Sequence, residues 1–159
     1  MASSSFDISV WIQEQPEPVF MFLSSLPNHA KIHPLILKIE PIPPIQGTNY
    51  RITDQIPMGP FHFRIRYWVN FVPGIMQIKS TALQFPNIRL VNLTRFLPER
   101  DGTRILEQVD IDAPRLLIGT VTRQAIEAHQ ASFQNVKRFF ESGGEHIEQA
   151  GRYSALQDL

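Results

Sequence analysis

Two residues of complementary chemistry, His129 and Glu107, are the first candidates for a functional site. His129 lies in the middle of the apolar stripe of a predicted C-terminal helix, between Ala125 and Phe133. An imidazole at that position can donate a hydrogen bond to a ligand carbonyl or act as a general base. The alternative is a structural histidine whose ring is satisfied by a neighbouring backbone or side-chain group.

Glu107 belongs to an alternating segment, residues 103–112, that predicts a strand. It shares one side of that strand with Ile105, Val109 and Ile111. A carboxylate on an inward face is costly unless it is paired or hydrogen-bonded. His129 and Tyr67 are the candidate partners, and water in a cavity would also serve. Alternatively, a one-residue register shift or a bulge turns Glu107 outwards.

Tyr67 places one hydroxyl on a strand face that is otherwise aliphatic and aromatic. The walls of binding cavities combine apolar side chains with a few such polar groups. The alternative is a core tyrosine whose tip reaches the surface. The residues predicted to contact a ligand are Phe63, Ile65, Tyr67 and Glu107 on the sheet, and Ile126, His129 and Phe133 on the helix.

Other constellations carry little chemistry. His29 and His33 have the four-residue spacing of a two-histidine metal site, but Pro34 follows and no acidic residue is near, so no metal is predicted. The chain has no cysteine, no glycine-rich phosphate loop and no serine nucleophile in a recognised motif, so no cofactor is predicted. His62, Arg64 and Arg66 alternate on a strand face that is predicted to be solvated.

Composition limits the class of protein. The 159 residues suit one domain, and the formal net charge of zero argues against a nucleic-acid partner. No apolar run approaches the roughly 18 residues of a membrane span. The opening MASSS is followed by Asp7 and Glu14 without an arginine-rich stretch, so no transit peptide is predicted and a cytoplasmic location is expected.

The candidate histidine is positioned by a helix predicted over residues 115–141. Its apolar residues fall on one side at 100° per residue, and its charged residues fall on the other. Pro114 suits a first helical turn, and Gly143-Gly144 suits a helix end. A single domain is therefore predicted over residues 1–142, with a polar, mobile tail over residues 143–159.

The preceding chain predicts strands and two short helical segments. Residues 61–71 are the clearest strand, with Phe61, Phe63, Ile65, Tyr67, Val69 and Phe71 facing inwards. Short helices are predicted at 19–26 and 29–33, and the proline-rich run 41–45 suggests a turn or an edge connection. The other predicted strands cover residues 6–12, 35–40, 49–56, 75–83, 88–97 and 103–112. This order predicts an α+β fold in which an antiparallel sheet of six to seven strands curls around one long helix.

The opening FDISVWIQEQPEPVFMFLSSLPNHAKIHP and the closing AHQASFQNVKRFFES carry a resemblance over residues 6–142. This order resembles the helix-grip fold of the START-like superfamily, also called the polyketide cyclase/dehydrase and lipid-transport group, which includes birch-pollen-allergen-like proteins. Where a Trp-His-Pro-like segment is typical, this chain has Ile32-His33-Pro34, without the aromatic residue.

The resemblance implies a carrier that holds a small hydrophobic ligand, such as a lipid, a sterol or an aromatic metabolite. It leaves two alternatives open. One is a cyclase or dehydratase that acts on a polyketide-like substrate, with His129 and Glu107 as acid and base. The other is a ligand-free interaction module of the co-chaperone-activator kind. The sequence does not specify an oligomeric state.

Overall fold

A computed structural model describes residues 1–45 and 47–143 of the chain. These residues form seven strands and three helices. The strands are β1 (Ala2–Ile12), β2 (Ile36–Ile45), β3 (Thr48–Met58), β4 (Phe61–Pro73), β5 (Gln77–Gln84), β6 (Ile88–Glu99) and β7 (Gly102–Ala113). The helices are α1 (Pro16–Leu23), α2 (Leu26–His29) and α3 (Ile118–Glu141). Apart from Gly143, the predicted tail lies outside the described residues.

All seven strands belong to one antiparallel sheet in the order β1-β7-β6-β5-β4-β3-β2. Strands β1 and β2 are its edges, and α3 packs mainly against β1 and β7. The buried core lies between the sheet and the helices, where α1, α2 and α3 cover the inward face. The predicted antiparallel sheet gripping one long helix is therefore confirmed.

Helix α3 begins at Ile118, three residues later than the sequence predicted. The carbonyl of Pro114 accepts hydrogen bonds from the amides of Leu117 and Ile118, so residues 114–117 form a separate turn before the helix. The apolar stripe buries Ala125, Ala128, Phe133 and Val136, as the helical spacing predicted. The position of His129 on that stripe turns its ring towards the sheet.

Two other boundaries differ from the prediction. Helix α1 runs from Pro16 to Leu23 rather than over residues 19–26, because prolines suit the first helical turn and Leu26 opens α2 instead. The run 41–45 continues β2 as an edge strand. Proline is tolerated there because an edge strand has a side on which no N–H is needed.

Strand β4 extends well beyond its neighbour β5. The first pair between these strands joins Tyr67 to Gln84, so residues 61–66 pair only with β3. We call the resulting two-stranded projection, residues 55–66, the β3–β4 arm. Phe61 and Phe63 lie on this arm and are exposed, whereas Val69 and Phe71 are buried. The six alternate residues of β4 share one face, as the sequence predicted, but Phe61 and Phe63 are exposed because β5 does not extend along the arm.

Candidate functional site

A cavity of about 230 Å³ lies between the sheet and helices α2 and α3. Its lining is mainly apolar and includes Ile52, Val69, Ile78, Ala82 and Phe133. A dry cavity of about 150 Å³ holds a benzene molecule. The space described here therefore has the size of one or two fused rings.

One side of the cavity carries a hydrogen-bonded chain of three side chains from β6, β7 and α3. Thr94 lies opposite Glu107 in the β6–β7 register. The Thr94 hydroxyl donates to Oε2 of Glu107 at 2.7 Å, and Nδ1–H of His129 donates to Oε1. Glu107 therefore faces inwards, and both of its carboxylate oxygens are satisfied.

Burial and charge act in opposite directions on this pair. Burial by itself lowers the pKa of His129, but the carboxylate of Glu107 and its hydrogen bond outweigh burial and raise that pKa above 6.5. Burial likewise raises the pKa of Glu107, but the charge of His129 and the hydrogen bonds from His129 and Thr94 leave it below 4.5. The pair is thus an ion pair between pH 4.5 and pH 6.5.

Two more histidines line the cavity near His129. The rings of His33 and His129 meet edge to face with centroids 6.4 Å apart. Burial, followed by the charges of His129 and His29, lowers the pKa of His33 to about 3. Its Nδ1 accepts the amide of Leu35 at 3.3 Å, which places the proton of the neutral ring on Nε2.

His29 is held by backbone contacts. Its Nε2–H donates to the carbonyl of Leu23 at 2.8 Å, and its ring packs edge to face against Phe71. Burial lowers the pKa of His29. In residues 1–45 and 47–143, no group of three potential metal ligands is found, so the spacing of His29 and His33 does not produce a metal cluster there.

A second polar pair lies at the β3–β4 side of the cavity. The Tyr67 hydroxyl donates to Oδ1 of Asp54 at 3.2 Å. Burial raises the pKa of Asp54 to about 6, although the Tyr67 hydrogen bond opposes the shift. The pKa of Tyr67 rises well above 10 through burial and the nearby carboxylate. Tyr67 is therefore a permanent donor, and Asp54 gains its proton in mildly acidic solution.

Asn92 presents an unpaired polar atom. It lies opposite Ser80 in the β5–β6 register, and both residues line the cavity. Within the described part of the chain, the buried Oδ1 of Asn92 has no hydrogen-bond partner. A buried acceptor without a partner costs free energy, so this oxygen would gain from a donor placed in the cavity.

The structure brings together most, but not all, of the predicted ligand-contacting residues. The cavity wall includes Ile65, Tyr67, Glu107, His129 and Phe133. Phe63 lies exposed on the β3–β4 arm. Ile126 lies on a separate shallow groove beside Ser3 and Ser4 of β1. Neither Phe63 nor Ile126 belongs to the cavity wall.

Among the polar residues of the cavity that sequence reasoning did not select are His33, Asp54, Asn92 and Thr94. The sequence did contain a signal for Asp54, because Asp54 shares one face of its strand with Tyr50 and Ile52. A carboxylate in such a position resembles Glu107, and the same argument about burial applies. For Asn92 and Thr94 the segment 88–97 has no clear polar face, so the inward side was not readable.

No family model and no curated protein matches the chain. Among solved structures, a START superfamily protein from Mycobacterium smegmatis has a TM-score of 0.64 at 13% identity, over 87% of this chain and 97% of that one. The Zhui aromatase/cyclase from Streptomyces sp. R1128 has a TM-score of 0.61 at 14% identity, over 87% and 96%. The chain has the START-like helix-grip fold.

A third similar structure is the di-domain ARO/CYC StfQ from the steffimycin biosynthetic pathway, with a TM-score of 0.66 at 11% identity. The match covers 88% of this chain and 52% of StfQ. The TM-scores establish the START-like fold, but at identities this low they establish nothing about activity. In the described part of the chain, no helix has the length and apolar character needed to cross a membrane.

Proposed function

We propose that this START-like domain binds a small ligand with an apolar, ring-sized body and at least one polar substituent. The observation that carries the proposal is the cavity of about 230 Å³, whose apolar wall is interrupted by polar groups from β6, β7 and α3. Binding pockets combine these two properties. An aromatic metabolite suits the volume better than a whole lipid or sterol does.

The polar groups offer both kinds of hydrogen bond to a ligand. Oδ1 of Asn92 is a free acceptor for a ligand hydroxyl or N–H. Nδ1 of His129 makes the contact with Glu107. Within residues 1–45 and 47–143, Nε2 of the same ring has no hydrogen-bond partner. While His129 is charged, Nε2 carries a proton and would donate to a ligand carbonyl or phenol oxygen.

The proposal is tested first without knowledge of the ligand. Native mass spectrometry of the purified protein should show extra mass from a co-purified small molecule. An environment-sensitive apolar dye should bind with saturation, and Ala82→Phe should abolish that binding because the new ring fills the cavity. Leu83→Phe is the matched control, since alternation places residue 83 on the opposite face of β5.

Saturable dye binding that survives Ala82→Phe in a variant with unchanged melting would show that the cavity is not the site. Phe133→Trp provides a second measurement, because a tryptophan in the cavity wall should change its emission as the dye enters. An unchanged emission at full dye occupancy would argue against the proposed site. The cavity volume itself speaks against the ligand-free interaction module, which requires a filled interior.

A second candidate function is a cyclase or dehydratase that acts on a polyketide-like substrate. One observation favours it: a single cavity contains a charged His129–Glu107 pair, a neutral His33 and a carboxyl, Asp54, whose pKa is raised to about 6. Acid–base catalysis commonly uses titratable groups in one site whose pKa values differ from one another. Two of the similar structures are the Zhui aromatase/cyclase and the di-domain ARO/CYC StfQ.

Turnover separates the two candidates. With a linear poly-β-carbonyl thioester as the substrate, a catalytic role predicts that His129→Ala lowers the rate of ring formation by roughly 10²–10⁴-fold. A binding role predicts that His129→Gln retains most of the affinity, while His129→Ala weakens it by about 1–3 kcal/mol. His62→Gln is the matched control on the exposed β3–β4 arm. A large rate defect at unchanged affinity, measured at a temperature where the variant is fully folded, would establish the enzyme.

A further inference from the structure

Large apolar side chains are exposed in three of the connections at one end of the sheet. Strands β3, β5 and β7 run in the same direction, so the β3–β4, β5–β6 and β7–α3 connections share that end. Phe61 is 67% exposed, Phe85 is 84% exposed and Leu116 is 95% exposed. We call these three residues, together with Met58 and Phe63, the apolar rim. Large apolar side chains exposed at one end of a fold are the usual feature of an interaction surface.

The same end of the molecule is basic. The segments 57–66, 85–89 and 114–123 contain no Asp or Glu, and they contain five arginines: Arg64, Arg66, Arg89, Arg115 and Arg123. Among the described residues, only Arg89 of these has an ion-pair partner, Asp112. The connections at the opposite end carry carboxylates, including Glu14 and Asp101. Those connections also contain Arg100, so the clear excess of charge is the excess of arginine in the three segments 57–66, 85–89 and 114–123.

The β3–β4 arm is amphipathic. Met58, Phe61 and Phe63 lie on one face through the Met58–Phe61 and Ile56–Phe63 pairs. By alternation, His62 and Arg64 lie on the other face. From Tyr67 the arm projects by six residues, or about 20 Å at 3.3 Å per residue. An apolar face backed by basic residues is typical of elements that lie in a lipid–water interface.

The rim also lies beside the cavity. The cavity wall continues to Ile56, Gln84 and Ile88, which lie within three residues of Met58 and Phe85. We propose that this end of the molecule docks on an anionic lipid bilayer, with the apolar rim entering the headgroup region and the arginines facing the phosphates. Three separate projecting connections suit a fluid surface better than the single groove of a protein partner. The inference does not depend on which ligand the cavity holds.

Vesicle flotation tests the docking. The full chain should bind vesicles that contain phosphatidylserine and bind pure phosphatidylcholine weakly, because each arginine near an anionic surface contributes roughly fivefold. Phe61→Ser, Phe85→Ser and Leu116→Ser should each weaken binding by about tenfold through the lost apolar transfer. Ile75→Ser is the matched control, since Ile75 is 94% exposed in the β4–β5 connection at the opposite end. It should leave binding unchanged.

Charge is tested separately. Arg115→Gln should reduce the phosphatidylserine dependence, whereas Arg138→Gln, in the last turn of α3, should not. All of these side chains are exposed, so circular dichroism and melting should match the wild type. Equal effects of Phe85→Ser and Ile75→Ser, or no binding to anionic vesicles, would refute the proposal. Rim variants that change the oligomeric state of the protein in solution but not its vesicle binding would also refute the proposal. They would indicate that the rim is a contact between copies of the chain.

Discussion

Replacing Asp54 with asparagine should make the protein more stable at neutral and alkaline pH. Burial raises the pKa of this carboxyl from 3.8 to about 6, so keeping Asp54 ionised in the folded state costs free energy. A shift of about two units, at 1.36 kcal/mol per unit, corresponds to a cost of about 3 kcal/mol. Asparagine has nearly the same shape and can still accept the Tyr67 hydroxyl, but carries no charge.

The expected gain depends on pH in a defined direction. Between pH 3.8 and about 6, the folded protein holds a proton on Asp54 that the unfolded chain has released. The free energy of unfolding therefore rises as the pH falls through this range, and the full cost is present only above it. The advantage of Asp54→Asn should be about 3 kcal/mol near pH 8 and should shrink by that amount towards pH 4.

Urea denaturation of the wild type and Asp54→Asn at several pH values measures this difference. Contributions from all other titrating groups cancel when the two proteins are compared at the same pH. Asp7→Asn is the matched control for the loss of one carboxylate, because Asp7 is an exposed residue of β1. A stability difference that is constant with pH, or that favours the wild type near pH 8, would refute the argument that Asp54 is a buried, costly carboxyl.

Four other substitutions follow from the described contacts. His129→Ala should lower the free energy of unfolding by about 3–5 kcal/mol near pH 5.5, because it leaves the buried Glu107 without its charge partner. The charge of His129 contributes its full stabilisation below pH 6.5, and the charge of Glu107 does so above pH 4.5. The stability lost in His129→Ala, measured by denaturation, should therefore be smaller below pH 4.5 and above pH 6.5. Thr94→Val should cost about 1–3 kcal/mol in the same assay by removing one donor to Glu107, and a loss below 0.5 kcal/mol would show that water replaces it. Gly102→Ala should lower the melting temperature, since a Cβ there would clash with the backbone oxygen of Ile12. Gly119→Ala should raise the melting temperature, because a Cβ at this helical position meets no atom within 4 Å and alanine favours the helix. Equal shifts in the two variants would contradict this packing.

The parts of the fold that depend on local periodicity were predictable from the sequence. The alternation of β7 and the apolar stripe of α3 each predict which face is buried, and together they direct Glu107 and His129 into the same interior. The exposure of Phe61 was not predictable, because it depends on where β5 ends rather than on β4 itself. Long-range register likewise decides that Asp54, not Glu107, receives the Tyr67 hydroxyl.

The order of strands has a consequence for how the chain acquires its structure during synthesis. The sheet neighbour of β1 is β7, and the pairing of Ala2 with Ala113 joins residues more than a hundred positions apart. Contacts of such long sequence separation form late, because the entropy of closing the intervening loop must be overcome first. β1 leaves the ribosome long before its partner strand and before α3, which packs against both. Until then the apolar face of β1 stays uncovered. A nascent chain that stalls before residue 113 therefore exposes this apolar face and an unpaired strand to chaperones or to other nascent chains.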